Sequence, residues 1–247
     1  MSELQLKKVI VALDNMDETQ IHDWMNKATP DVSFVKIGLE AYCRYGRSLI
    51  ESLMKTYELK IFLDLKLHDI PNTVSKTISA LKGLPIDFLT VHLTGGEQML
   101  VAALDAQKKA LPHTQLLGVS YLTSLDGHDF EQIWGIDEAT IPKQFERLFN
   151  LAHRSKIHGL VCSAQEAKTL RHFEVENSLS PLQLVCPGIR FEDEIKKNTN
   201  LGDQKRVLSP QEAFSLDVDY LVMGRSLTQT KNLRQRLDEL HHVEKNI

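Results

Sequence analysis

Val9-Ile-Val-Ala-Leu13, running into Asp14-Asn-Met-Asp17, is the stretch on which the fold turns. A short apolar run rich in β-branched residues, ended by a polar turn, reads as a strand buried on both faces. An open nucleotide-binding sheet would follow that strand with a glycine-rich GxGxxG turn. Asp14-Asn-Met-Asp17 contains no glycine. Working outward, runs of the same kind recur at Ser33-Phe-Val-Lys-Ile37, Lys60-Ile-Phe-Leu-Asp64, Asp87-Phe-Leu-Thr-Val91 and Leu116-Leu-Gly-Val-Ser120. Gly159-Leu-Val-Cys162, Leu182-Gln-Leu-Val-Cys186 and Asp219-Tyr-Leu-Val-Met223 complete a set of eight. Between them lie segments with helical spacing, such as Val74–Leu81 and Phe145–Ala152. Eight strand–helix units in 247 residues predict a single-domain α/β protein, a closed (β/α)8 TIM barrel over 1–247 with a frayed tail from about 241.

Chemistry in such a barrel sits at the C-terminal strand ends. Asp14 ends the first strand, Lys36 lies on the second, and the third runs into Asp64-Leu-Lys66-Leu-His68-Asp69. Two residues apart in extended chain, Asp64 and Lys66 are expected on one face, towards the barrel mouth. Asp69 precedes Pro71, a favoured first helical residue. Alone, an Asp-x-Lys pair reads as a structural ion pair. With Lys36 on the neighbouring strand, alternating charges are costly to desolvate unless they serve a site. His92 ends the fourth strand, and with His68 reads as hydrogen-bonded structure. At the other end, Pro187-Gly-Ile-Arg190 and Met223-Gly-Arg225-Ser226 place glycine beside arginine after strands seven and eight, where these barrels commonly bind phosphate.

Composition bounds the rest. There are 29 Lys and Arg against 33 Asp and Glu, with 25% charged and 42% hydrophobic residues, which describes an ordinary globular chain without the basic excess of a nucleic-acid binder. The longest early apolar run is too short for a signal core or a membrane span. Cys43, Cys162 and Cys186 show no CxxC spacing, so reduced, mostly buried thiols in a cytoplasmic protein are expected.

Asp64-Leu-Lys-Leu-His-Asp-Ile-Pro-Asn-Thr73 resembles the signature of the orotidine 5′-phosphate decarboxylase family in its bacterial form. The resemblance extends through Val11–Asp14, Lys36–Gly38, Leu122–Ser124, Val161–Glu166, Pro187–Arg190, Gly202–Gln204 and Gly224-Arg225, in the expected order. It implies decarboxylation of orotidine 5′-phosphate (OMP) to uridine 5′-phosphate (UMP) and CO2, the last step of pyrimidine synthesis, without a cofactor or metal. It implies that Lys66 gives a proton to C6 and that Asp64 stands beside the departing CO2. Lys36 and Asp14 would bind the ribose hydroxyls and join the charged network. Asp69, Ile70 and Thr73 would reach the active site of the partner subunit in a homodimer. Thr123 would contact the pyrimidine, and Arg190, Gln204, Gly224 and Arg225 would hold the phosphate and the closing loop. Two alternatives stay open at this point. One resembles the Mg2+-dependent 3-keto-gulonate 6-phosphate decarboxylases, against which a cation at Lys36 argues. The other is a non-catalytic phosphate-sensing barrel.

Overall fold

The structure, a computed structural model, describes residues 6–196 and 207–245. All eight expected strands form: β1 (Val9–Ala12), β2 (Phe34–Gly38), β3 (Lys60–Leu67), β4 (Phe88–His92), β5 (Gln115–Val119), β6 (Gly159–Val161), β7 (Gln183–Cys186) and β8 (Tyr220–Met223). Every neighbouring pair is parallel, and β8 returns to pair with β1, so the sheet closes in chain order. Helices fill the connections, among them Pro71–Ala80 and Ile141–Ser155, which contain the two segments of helical spacing. Pro71 opens the first of these, where its missing N–H is no loss.

Alternation along the strands makes two cores. In β1, Ile10 and Ala12 face the barrel interior, while Val9, Val11 and Leu13 join the larger core beneath the helices. Inside, Phe34, Phe88 and Tyr220 meet at ring separations of 5.2–5.7 Å near the strand starts, with Phe62 at 5.9 Å from Phe88. That aromatic floor closes the barrel's base. Towards the strand ends the inward residues shrink to Ala12, Val161 and Val222, which leaves space for a cavity.

Two details differ from the sequence expectation. Where a frayed tail from about 241 is expected, the described residues continue the helix Leu233–Lys245. Glu244 accepts from the backbone N–H groups of Lys7 and Lys8 at 3.0 and 2.8 Å, and His241 Nε2 lies 2.8 Å from the buried Asp31 carboxylate. These contacts pin the helix across the barrel's base. The second concerns β3, which runs three residues beyond Asp64 but is not extended throughout. Lys66 has φ of 48°, and the β3–β4 register slips between Leu63 and Leu67. The simple two-residue alternation expected for Asp64 and Lys66 is thus interrupted. A left-handed non-glycine residue costs about 1–2 kcal/mol and persists only where its surroundings hold it.

Candidate active site

Four charged side chains from three adjacent strands form a continuous chain at the barrel mouth. Lys36 Nζ donates to both carboxylate oxygens of Asp14, at 2.9 and 2.8 Å. The same ammonium lies 3.8 Å from Asp64 Oδ2, and Lys66 Nζ donates to that oxygen at 2.6 Å. Signs alternate along the series Asp14, Lys36, Asp64, Lys66. The kink at Lys66 therefore keeps its ammonium on Asp64 despite the broken alternation.

Burial is unequal along this chain. Lys36 and Asp64 are buried, whereas the side chain of Lys66 is 37% exposed and can meet a ligand. Burial alone would raise the Asp64 carboxyl, but the Lys36 and Lys66 ammoniums, with hydrogen bonds from Lys66 and Thr90, outweigh it and hold it below the usual carboxylate range. Space for the Asp14–Lys36 pair depends on Gly38, the last residue of β2. A Cβ there would collide with the Asp14 carboxylate and crowd Lys36 Nζ.

A cavity of 370 Å³ opens over this chain, lined by Asp14, Lys36, Asp64 and, opposite, Arg190, Gly224 and Arg225. The two arginines thus share one cavity with Asp14, Lys36 and Asp64, and Lys66 reaches it through its contact with Asp64. Arg190 is 4% exposed, and its guanidinium is shifted down, first by burial and then by the neighbouring Arg225, with Glu194 opposing. Two cations held close together at one end of a cavity suit an anion bearing more than one negative charge. A larger groove of 1230 Å³ runs along the outer wall beside Phe191, Pro210 and Arg236, away from the charged chain.

Other expected residues lie apart from this cavity. Asp69 is exposed and accepts the N–H of Ile70 at 2.7 Å; Ile70 is 67% exposed, and Thr73 is exposed on the first turn of the helix Pro71–Ala80. Thr123 is half-buried in the turn after β5. Gln204 lies outside the described residues. The rings of His68 and His92 meet near Lys66 in a tilted arrangement, with centroids 5.2 Å apart. Burial, followed by the charges of His68 and Lys66 and against that of Asp64, pushes His92 down to about 4. Cys162 and Cys186 are buried in the outer core and Cys43 is exposed, all three as free thiols.

Sequence reasoning missed Thr90. Its hydroxyl lies 2.9 Å from Asp64 Oδ1 and 2.8 Å from the Lys66 backbone nitrogen. The signal was the period-two face of β4, where Phe88, Thr90 and His92 alternate inward and only Phe88 is apolar.

Comparison with known proteins agrees over nearly the whole chain. The model of the orotidine 5′-phosphate decarboxylase / HUMPS family matches residues 7–240. An orotidine 5′-phosphate decarboxylase of Coxiella burnetii is 41% identical over 236 residues, covering 94% of each chain. One of Ehrlichia chaffeensis is 39% identical over 232 residues, again covering 94% of each. The crystal structure of orotidine 5′-phosphate decarboxylase from Lactobacillus acidophilus superimposes with a TM-score of 0.78 at 32% identity, over 96% of this chain and 99% of that one.

Proposed function

The chain belongs to the orotidine 5′-phosphate decarboxylase / HUMPS family, and from that premise we propose that its charged chain at the barrel mouth carries out the family's decarboxylation. The reaction converts OMP to UMP and CO2 in pyrimidine biosynthesis. The observation that carries this reading is the alternating series Asp14, Lys36, Asp64, Lys66, built beside a cavity that ends at two arginines.

The chemistry needs such a site. When CO2 leaves C6, its bonding electron pair remains in the plane of the pyrimidine ring, where the π-system cannot spread it. A fixed cation at C6 offsets the charge as it develops and does so without reorganising at the moment of reaction. The Lys66 ammonium is that cation, and it then transfers a proton to C6 as general acid, closing the balance: CO2 departs, and C6 gains one proton. Asp64 orients the ammonium through its 2.6 Å contact. Its own negative charge disfavours a substrate carboxylate placed next to it and does not disfavour neutral CO2. Lys36 and Asp14 bind the ribose hydroxyls and complete the series. Arg190, Gly224, Arg225 and Gln204 hold the phosphate. Binding energy gained there, far from C6, is available to close the site and exclude water. Thr123 meets the pyrimidine. The scheme uses neither metal nor cofactor.

The working form is a cytoplasmic homodimer with shared sites, without nucleic acid or membrane. Asp69, Ile70 and Thr73 serve the partner's site, since in their own chain they face solvent. Supporting this, exposed apolar side chains follow three successive strands: Leu39 after β2, Ile70 after β3 and Val101 after β4. The test of the reaction is loss of OMP absorbance in excess EDTA. Turnover unchanged by chelation is expected; activity lost in EDTA and restored by Mg2+ would overturn the metal-free scheme.

A further inference from the structure

We propose that Thr90 is a positioning residue of the reaction: its hydroxyl fixes the Asp64 carboxylate and the Lys66 backbone in one mutual geometry. The inference rests on the roles assigned above to Lys66 and Asp64.

Thr90 is fully buried on the inner face of β4. Oγ1 has two polar neighbours, Asp64 Oδ1 at 2.9 Å and the Lys66 backbone nitrogen at 2.8 Å. Donor and acceptor logic leaves one arrangement. An ionised carboxylate only accepts and a backbone N–H only donates, so the hydroxyl proton points to Asp64 and a lone pair receives Lys66 N–H. One side-chain oxygen therefore ties the base of the proton donor to its counter-ion.

The location explains why a side chain is needed there. In a regular ladder the Lys66 N–H would find a backbone carbonyl of a neighbouring strand. Here the β3–β4 register slips and Lys66 adopts φ of 48°, so the threonine oxygen serves as the acceptor. The left-handed residue aims the ammonium, and Thr90 secures the backbone that aims it. Asp64 is divided in the same way. Oδ2 takes Lys66 and faces Lys36, while Oδ1 takes Thr90. Removing the hydroxyl frees the carboxylate to rotate and leaves a buried N–H unpaired.

Thr90→Val keeps the side-chain shape and removes the hydroxyl; Thr90→Ser keeps the hydroxyl and removes a methyl. Each full-length variant is measured for OMP turnover, UMP affinity by calorimetry, and melting temperature. Displacing a reacting group by about an ångström costs about 10² in rate, so Thr90→Val should lose about that factor in kcat while KM and UMP affinity stay within about threefold. Thr90→Ser should stay within about threefold of the parent in every quantity, because its hydroxyl can make both hydrogen bonds. Should the valine chain fail to fold, Thr90→Ala is the second hydroxyl-free protein and must show the same split. Wild-type kcat in a folded hydroxyl-free variant overturns the inference. So does a serine variant as impaired as valine, or a loss of UMP affinity equal to the loss of kcat. Absence of OMP turnover in the unmodified protein would instead refute the decarboxylase reading itself.

Discussion

Subunits carrying Lys66→Ala and subunits carrying Asp69→Ala should restore each other's activity when mixed. In its own chain Asp69 is exposed and bonds the N–H of Ile70, whereas Lys66 pairs with Asp64 inside the barrel mouth. Three residues separate them in sequence, yet the dimer scheme gives them to different active sites. That requires the loop after β3 to lie against the partner's barrel mouth across a two-fold axis. Each variant alone should be nearly inactive, since every site then lacks one group. In a mixed dimer one site receives both defects and the other receives neither. Random exchange makes half the dimers mixed, and half the sites in those are intact, so activity should return to roughly a quarter of wild type per site. The assay is OMP turnover after mild denaturation and refolding of the mixture, with exchange followed by a mass-tagged chain. If exchange is complete and no activity returns, Asp69 acts within its own subunit.

Two further outcomes follow from the site's geometry. Arg225→Ala should impair OMP use through phosphate binding while leaving the slow decarboxylation of free orotidine equal in variant and parent; steady-state kinetics with both substrates checks this, and equal harm to both would place Arg225 in another role. His92 should make stability depend on pH. Its folded value of about 4 lies below the ordinary 6.5, so the unfolded chain takes up a proton first as pH falls, and the contribution present above pH 6.5 is lost progressively down to about pH 4. That gap corresponds to about 3 kcal/mol at most, and the half-buried ring's contact with water reduces it to about 1–2 kcal/mol. Urea unfolding at pH 7 and pH 4.5 should show wild type losing that much more than His92→Asn; identical losses would contradict the shift.

Much of the fold was legible because a parallel barrel buries both faces of each strand, so β1 through β8 read as continuous apolar runs. Strand ends were less legible. Leu13 falls just beyond β1 although apolar, because ladder pairing follows backbone geometry and not side-chain polarity, whereas β4 ends at His92 as expected. The left-handed Lys66 had no glycine to announce it. Thr90 read as an ordinary β-former, since only the pairing of β3 with β4 reveals what its hydroxyl meets. The grouping of Asp14, Lys36 and Asp64 could be anticipated from their places at adjacent strand ends. Strand-end reasoning reached Asp69 but not the partner's site it is expected to serve, and only the family resemblance singled out Ile70 and Thr73. The helix through Lys245 was illegible for a related reason, because Glu244 is held by backbone groups at the opposite end of the sequence.

The central claim is that the Lys66 ammonium both stabilises and protonates the C6 carbanion. Single-turnover decarboxylation of OMP by Lys66→Ala tests it most directly, with melting temperature and UMP affinity measured on the same protein. Removing one preorganised charge-stabilising group costs about 10²–10³ in rate, and because this group is also the acid the predicted loss exceeds about 10³, with UMP still bound and the fold intact. A folded, UMP-binding variant that keeps roughly a tenth of wild-type turnover would contradict the account, since two functions of one ammonium cannot cost so little.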